Sequence, residues 1–250
     1  QSNGLSSTEI SFELSGYFLE TSKNGAKISA PGGVPMLKKG SPDLPVFTTS
    51  IQIPDLAKMQ LEVISSEYID VKVESVIPSR GNITRDININ LVPFKKGLTY
   101  DKNSFYPDNI AFLRSPYIIR TKRGQTVVFQ PFQYNPIDGI LRVHTNITIS
   151  VKADGISTDN PLVRLPSKNR GMREMEEIYS RHFINNVPTN DRYTPLDENG
   201  AMLIICYGPF IDAMQPFIDW KIKKGMHVEL YNVDDIGDAA DIKTFVEDYY

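Results

Sequence analysis

Residues 141–152 alternate without a break. Leu141, Val143, Thr145, Ile147, Ile149 and Val151 fall on one side, and Arg142, His144, Asn146, Thr148, Ser150 and Lys152 on the other. A period of two held over that length fits a strand and not a helix. One apolar and one polar face describe an antiparallel sheet with a core on one side and water on the other. His144 therefore reads as a surface residue. Residues 126–134 read as the preceding strand, joined through Asn135-Pro-Ile-Asp-Gly139.

The rest of the first 170 residues follows the same pattern in shorter pieces. Ile10, Phe12 and Leu14 keep strand period, and Asn24-Gly25 fits a two-residue hairpin turn, whose central positions need positive φ. Residues 46–53, 58–65 and 68–76 read as three strands, with Met59, Leu61 and Val63 on one face of the second. Residues 31–45 and 78–110 are broken by proline and glycine. Within the latter, residues 97–107 read as an extended loop anchored by Tyr100, Phe105 and Tyr106, with Lys102 at its polar middle. Seventeen prolines and sixteen glycines suit a chain of many turns. The expectation is an antiparallel β-sandwich or jelly roll. It is closed by a helix near 171–184, where Met172, Met175, Tyr179 and Phe183 recur at helical spacing as a packing face, with Ile178 and His182 flanking.

Residues 185–200, dense in Asn, Asp, Thr, Pro and Gly, interrupt both periods and read as a linker with Arg192 and Tyr193 at its centre. Exposed linkers are where proteolysis concentrates. Beyond it, residues 201–207 are a continuous apolar run, the mark of a strand buried on both faces. Residues 209–224 read as a helix with Phe210, Met214, Phe217, Ile218 and Ile222 on one side, Pro216 kinking it or beginning its main part, and Gly225 ending it. Residues 227–233 read as a second strand, parallel to the first, and a further helix begins at 239. This is an incomplete α/β (βαβα) series, so the expectation is two domains, 1–192 and 193–250, the second an opening fragment. No run of eighteen apolar residues could span a membrane as a helix. Residues 193–250 hold four lysines against eleven acidic side chains, a net −7, whereas residues 1–192 are net +4. The asymmetry is compatible with docking between the parts and carries no nucleic-acid footprint.

No competent active site is legible from residue types. Cys206 is the one cysteine, which excludes an internal disulfide, and it ends a buried-type strand with no histidine partner in view. Asp234, Asp235, Asp238 and Asp241 lack the spacing of a calcium loop; Asp238 reads as a helix N-cap and Asp241 as a first-turn carboxylate. No phosphate-binding glycine loop, Cys-x-x-Cys, His-Glu-x-x-His or Gly-x-Ser-x-Gly is present. No catalytic residue, metal ligand or cofactor is assigned.

Several stretches resemble gingipain-type cysteine peptidases (family C25), nearest to the arginine-specific members. They are Leu61-Glu-Val-Ile-Ser-Ser-Glu-Tyr-Ile69, Pro78-Ser-Arg-Gly81, Arg123-Gly-Gln-Thr-Val-Val-Phe129, Gln133-Tyr-Asn-Pro136, Arg192-Tyr-Thr-Pro195, Gly200-Ala-Met-Leu-Ile-Ile205 and Asp219-Trp-Lys221 with Gly225. The resemblance implies a β-rich prodomain that aids folding and maintains latency, followed by the start of a caspase-like catalytic domain. It implies maturation by a cut between Arg192 and Tyr193, a partner in the peptidase catalytic domain, and secretion through the periplasm to the cell surface. The family's catalytic His and Cys lie downstream of position 250, so neither His227 nor Cys206 takes their place. A prodomain loop that fills the specificity pocket in lysine-specific relatives aligns with residues 100–107, its slot nearest Ser104, with Lys102 two residues away and Asn103 between. Two other readings stay open: a surface binding or adhesion β-sandwich, and an inhibitor acting in trans on a separate peptidase.

Overall fold

The structure is a computed structural model that describes residues 5–163, 173–187 and 201–249. It divides into two compact units, residues 1–190 and 191–250.

The first unit is built from β1 (Ser7–Glu13), β2 (Phe18–Ser22), β3 (Gly25–Ser29), β4 (Val34–Pro35), β5 (Pro45–Ile53), β6 (Ala57–Lys72), β7 (Ala111–Leu113), β8 (Tyr117–Ile119), β9 (Lys122–Phe129), β10 (Phe132–Asn135), β11 (Ile140–Ile156) and the helix α1 (Arg173–His182). All its strand pairs are antiparallel. β11, the alternating stretch, is the centre of one sheet: β6 runs along one edge, and β10 and β1 share the other end to end. A second sheet carries β4, β5 and β9, with β7 and β8 sharing the far edge of β9.

The two sheets meet in one core. Ile10, Met59, Ile147, Ile149 and Val151 from the first sheet join Ile51, Ile53, Ala111, Val127 and Phe129 from the second. Fully burying an aliphatic or aromatic side chain stabilises by roughly 1.5–3 kcal/mol, so β11 alone carries several such contributions. A neighbouring cluster, Leu141, Val143, Phe132 and Tyr134 with Ala26, Ile28, Val73, Val76 and Tyr100, is closed by the β2–β3 hairpin.

Four strand-level expectations are corrected. Residues 126–134 are not one strand: the chain changes sheets at Gln130-Pro131, where proline has no N–H to pair. The carbonyl of Pro131 instead accepts from the backbone N–H of His144, at 2.7 Å. Residues 58–65 and 68–76 are not two strands but mainly the single β6. The register shifts at three places; an extra residue at Ile64 in β6 and another at Thr145 in β11 make the first two, near the point that reads in sequence as a break, and the third lies between Ala153 and Ile156. The first hairpin turns on Lys23-Asn24, and Gly25 is the first residue of β3. Gly25 has φ 120°, and a Cβ there would lie 2.8 Å from the carbonyl oxygen of Ser75, so it serves a close backbone approach as well. His144 is buried at 4% exposure, because the polar face of β11 is covered at that point.

The packing face of α1 is present in its described part. Tyr179 and Phe183 are buried, Met175 is half-buried, and Ile178 and His182 are exposed. Met172 lies outside the described residues. Gly124 of β9 makes the slot for Phe183: a Cβ there would collide with the Phe183 ring and come within 2.9 Å of the Tyr117 ring.

The second unit contains β12 (Met202–Cys206), α2 (Ile211–Lys223), β13 (Val228–Asn232), α3 (Val233–Ile236) and α4 (Ala239–Tyr249). β12 and β13 pair in parallel, as the βαβα pattern requires. Pro216 sits inside α2, and Gly225 follows the helix with φ 82°. β12 is half-buried throughout rather than covered on both faces, and on α2 only Ile218 is buried. A two-stranded sheet offers too little surface to cover both. At α4, Asp238 Oδ1 accepts from the N–H of Ala240 (2.8 Å) and Asp241 (3.2 Å), and Asp241 Oδ2 accepts from the N–H of Asp238 (3.0 Å), a reciprocal N-terminal cap.

Candidate functional site

The segment 97–107 opens with a 3-10 turn, Leu98–Asp101, then runs along the edge of β10 away from β11, and is fixed at several points. Tyr100 is buried, and its hydroxyl donates to the Val76 carbonyl at 2.8 Å. Tyr106 and Tyr134 exchange backbone hydrogen bonds of 3.0 and 2.8 Å. Gln133 Nε2 donates to the Pro107 carbonyl at 2.7 Å. Phe105 lies against the Arg142 guanidinium, 4.3 Å from ring centre to Cζ, and Arg142 also stacks on Tyr68 at 4.0 Å. Asp70 holds that guanidinium in a two-pronged pair, Nε to Oδ1 and Nη2 to Oδ2, both 2.9 Å. The Arg142 hydrogen bond keeps the Asp70 carboxyl below its ordinary pKa, and Asp70 in turn raises that of Arg142.

The three tip residues, Lys102, Asn103 and Ser104, are all exposed, but they are not equivalent. Asn103 Oδ1 accepts a 2.8 Å hydrogen bond from Nδ2 of the buried Asn135, which also donates to Asp138 Oδ2. Among the described residues, the Lys102 and Ser104 side chains have no such partner. The tip therefore presents one ammonium and one hydroxyl outward, with an amide turned in between.

His144 is linked to this loop through Gln133. Gln133 uses its amide N–H on Pro107, so its Oε1 faces His144 Nε2 at 2.9 Å and accepts from it. His144 Nδ1 is buried with no partner among the described residues. A second proton would have to sit there. Burial foremost, and the Arg142 charge next, push the imidazole pKa down to about 4, against a smaller opposing effect of Asp70. His144 is a neutral support of the loop and not the surface residue that alternation suggests.

A second constellation fixes the end of the first unit. Lys122, 4% exposed, donates to Glu176 Oε2 (3.2 Å), Asn186 Oδ1 (2.8 Å) and the Val187 carbonyl (2.9 Å), and lies 4.6 Å from the Tyr179 ring centre. Asn185 grips the backbone of Gln52 from both sides: its Oδ1 accepts from the N–H at 2.7 Å and its Nδ2 donates to the carbonyl at 3.0 Å. Val187 N–H donates to Gln52 Oε1 at 3.3 Å. Nearby, the fully buried Arg123 donates to four backbone carbonyls, those of Pro54, Ala57, Asp159 and Asn160. Arg192 and Tyr193 lie outside the described residues, five and six positions past Val187.

In the second unit, Cys206 is half-buried, with its Sγ 3.5 Å from the Tyr207 carbonyl, and His227 is exposed and paired with Glu229 at 2.9 Å. Among the described residues no three His, Cys, Asp or Glu side chains cluster to hold a metal ion. Sequence reasoning missed Arg142, Asn135 and Lys122. The first two sit among polar strand and turn residues, and Lys122 at a strand start, where solvent exposure is the ordinary expectation.

Most of the chain matches known proteins. The family model described as Propeptide_C25 matches residues 1–184. Gingipain R2 of Porphyromonas gingivalis (strain ATCC BAA-308 / W83) is 34% identical over 238 residues, covering 93% of this chain and 32% of that protein. Gingipain R1 of Porphyromonas gingivalis is 36% identical over 223 residues, covering 87% of this chain and 22% of that protein. The chain thus spans about a third of the length of these curated relatives, or less. Among solved structures, the complex of Porphyromonas gingivalis RgpB pro- and mature domains contains a chain that matches with a TM-score of 0.64 at 30% identity, over 72% of this chain and 92% of that one.

Proposed function

The chain belongs to the Propeptide_C25 family, and from that premise we propose that residues 1–192 keep a gingipain-like cysteine endopeptidase latent and assist its folding. Residues 193–250 are then the opening of its catalytic domain, with β12, α2 and β13 as the first βαβ unit of a caspase-like fold. The observation that carries the reading is the extent of the match: it ends at residue 184, at the close of the α1 region, just ahead of the linker that holds Arg192. Processing between Arg192 and Tyr193 releases the propeptide. The parent enzyme cleaves after basic residues, and its catalytic Cys and His lie beyond these 250 residues.

The braced tip supports a mode of latency. A peptidase that selects a basic side chain has a pocket for an extended cation, and Lys102 is exposed with its ammonium unengaged among the described residues. Held on a loop fixed at Tyr100, Asn103, Phe105 and Tyr106, it can fill such a pocket without presenting an extended scissile segment. The proposed partner is the peptidase catalytic domain, and the proposed destination is the cell surface by way of the periplasm. Among the described residues no helix is long and apolar enough to cross a membrane, which says nothing of a β-barrel.

The test is limited proteolysis of the folded chain with a trace of an arginine-specific peptidase, followed by N-terminal sequencing. One early product starting Tyr-Thr-Pro-Leu, with the first unit intact, is expected. Resistance at Arg192, or cuts scattered through the strands, would refute the zymogen reading.

A further inference from the structure

The tip of the 97–107 loop is braced from two sides by residues far from it in sequence. On the near side, Asn135 holds Asn103. On the far side, Phe105 rests on Arg142, whose plane is set by the two-pronged bond to Asp70. The Arg142–Asp70 pair is half-exposed, with side-chain exposures of 24% and 39%, and such pairs add little to global stability. What the pair does fix is the orientation of a flat cation under an aromatic ring, which a lysine ammonium cannot reproduce. A recognition element held in its bound shape loses less conformational freedom on binding.

We infer that Arg142, oriented by Asp70 and acting through Phe105, is a positioning residue that pre-organises the Lys102–Ser104 tip for a partner's pocket. This rests on the reading of the loop as the latency element. Arg142 itself does not enter the pocket. Its removal loosens the tip while the sandwich stays folded, so affinity falls without a matching loss of stability. Lysine at 142 fails almost as completely as alanine, because charge without the planar fork does not seat the ring.

The experiment uses the full 250-residue chain as an inhibitor in trans of a mature gingipain R domain, with amide hydrogen exchange on the same samples. R142A and R142K are expected to speed exchange within 103–106, chiefly at the Tyr106 amide, which donates to the Tyr134 carbonyl, and to weaken inhibition, each by about tenfold or more, a factor that corresponds to one decade in Kd. The urea midpoint should barely move. F105A, which leaves the Arg142–Asp70 pair in place, should reproduce both effects, and R142A/K102A should inhibit no more weakly than K102A alone. Unchanged exchange at 103–106 in R142A and F105A would overturn the positioning role whatever the inhibition shows. Faster exchange with unchanged inhibition, in a background where K102A abolishes it, would overturn the link to binding. Equal inhibition by K102A and the parent chain would instead sink the latency reading, with the exchange data still deciding for or against Arg142 as the brace.

Discussion

Acid should weaken the first unit through one residue, His144. Its imidazole is buried, its Nε2–H is committed to Gln133, and its Nδ1 has no acceptor waiting among the described residues. The folded pKa is about 4, against an ordinary value of 6.5. A base whose folded pKa is depressed binds its proton first in the unfolded chain. Its contribution is therefore fully present above pH 6.5 and is lost as pH falls toward 4. At pH 5 the unfolded form is almost wholly protonated and the folded form almost wholly neutral, which costs at most about 2 kcal/mol; the full span reaches about 3 kcal/mol. The perturbation is His144→Gln, whose amide N–H can replace Nε2–H toward Gln133 but cannot titrate. Urea unfolding should be followed at pH 7.5 and 5.0 by the strand signal in circular dichroism, because the one tryptophan, Trp220, lies in the second unit. The parent chain should lose about 2 kcal/mol more than the variant between those two values. Parallel losses in both chains would refute the assignment of acid sensitivity to His144, since other carboxylates act equally in each.

Three further outcomes are expected. Lys122→Met removes the ammonium that holds Glu176, Asn186 and Val187 and should cost about 3 kcal/mol, as loss of one partner of a buried pair does, with α1 becoming the first segment cut in limited proteolysis. Gly124→Ala forces a methyl group into the Phe183 ring and should cost roughly 1–3 kcal/mol by thermal or urea unfolding, with partial recovery in G124A/F183L. Burial, against the smaller opposing charges of Lys27 and Arg80, raises the Asp43 pKa, so the charged form is disfavoured in the fold and stability falls as pH rises through that pKa. Asp43→Asn should raise the urea midpoint at neutral pH and leave it little changed in acid.

Strand period alone identifies much of the core. Leu141, Val143, Ile147, Ile149 and Val151, all predicted to face inward, are fully buried. The change to a helical and parallel-strand pattern after residue 200 is likewise legible, as are the Asp238 cap and the Gly225 stop. The errors share a cause: sequence reports the local period, whereas exposure depends on what lies across the face. His144 has the right phase for water, yet Tyr68 packs against its ring and Gln133, held to the Pro107 carbonyl, bonds its Nε2. The bulges at Thr145 and Ile64 offset each other between His144 and Ile149, so the β6–β11 pairing continues through the region where the local pattern reads as a break. β12 has the composition of a doubly covered strand, but among the described residues only β13 pairs with it, and its residues stay half-buried.

The candidate site was legible only in part, and its two portions failed for opposite reasons. The tip at 102–104 was found by resemblance, because an exposed loop leaves no periodic trace. The residues that hold it leave a trace that points elsewhere: Arg142 resembles any solvent-facing strand arginine, and Asn135 any turn asparagine. Their role appears only when the register pairs Arg142 with Asp70 and brings Asn135 to Asn103, 32 positions away in sequence. Lys122 is the same case, reaching the Val187 carbonyl across 65 positions. All three lie on or beside the run from β9 to β11. That run therefore does more than fill the core: it is the frame on which the tip and the exit from the first unit are separately mounted, by side chains that share no partner. A change in one mount can then alter presentation of the tip without altering the exit, which is what a propeptide needs if inhibition and release are to be tuned independently.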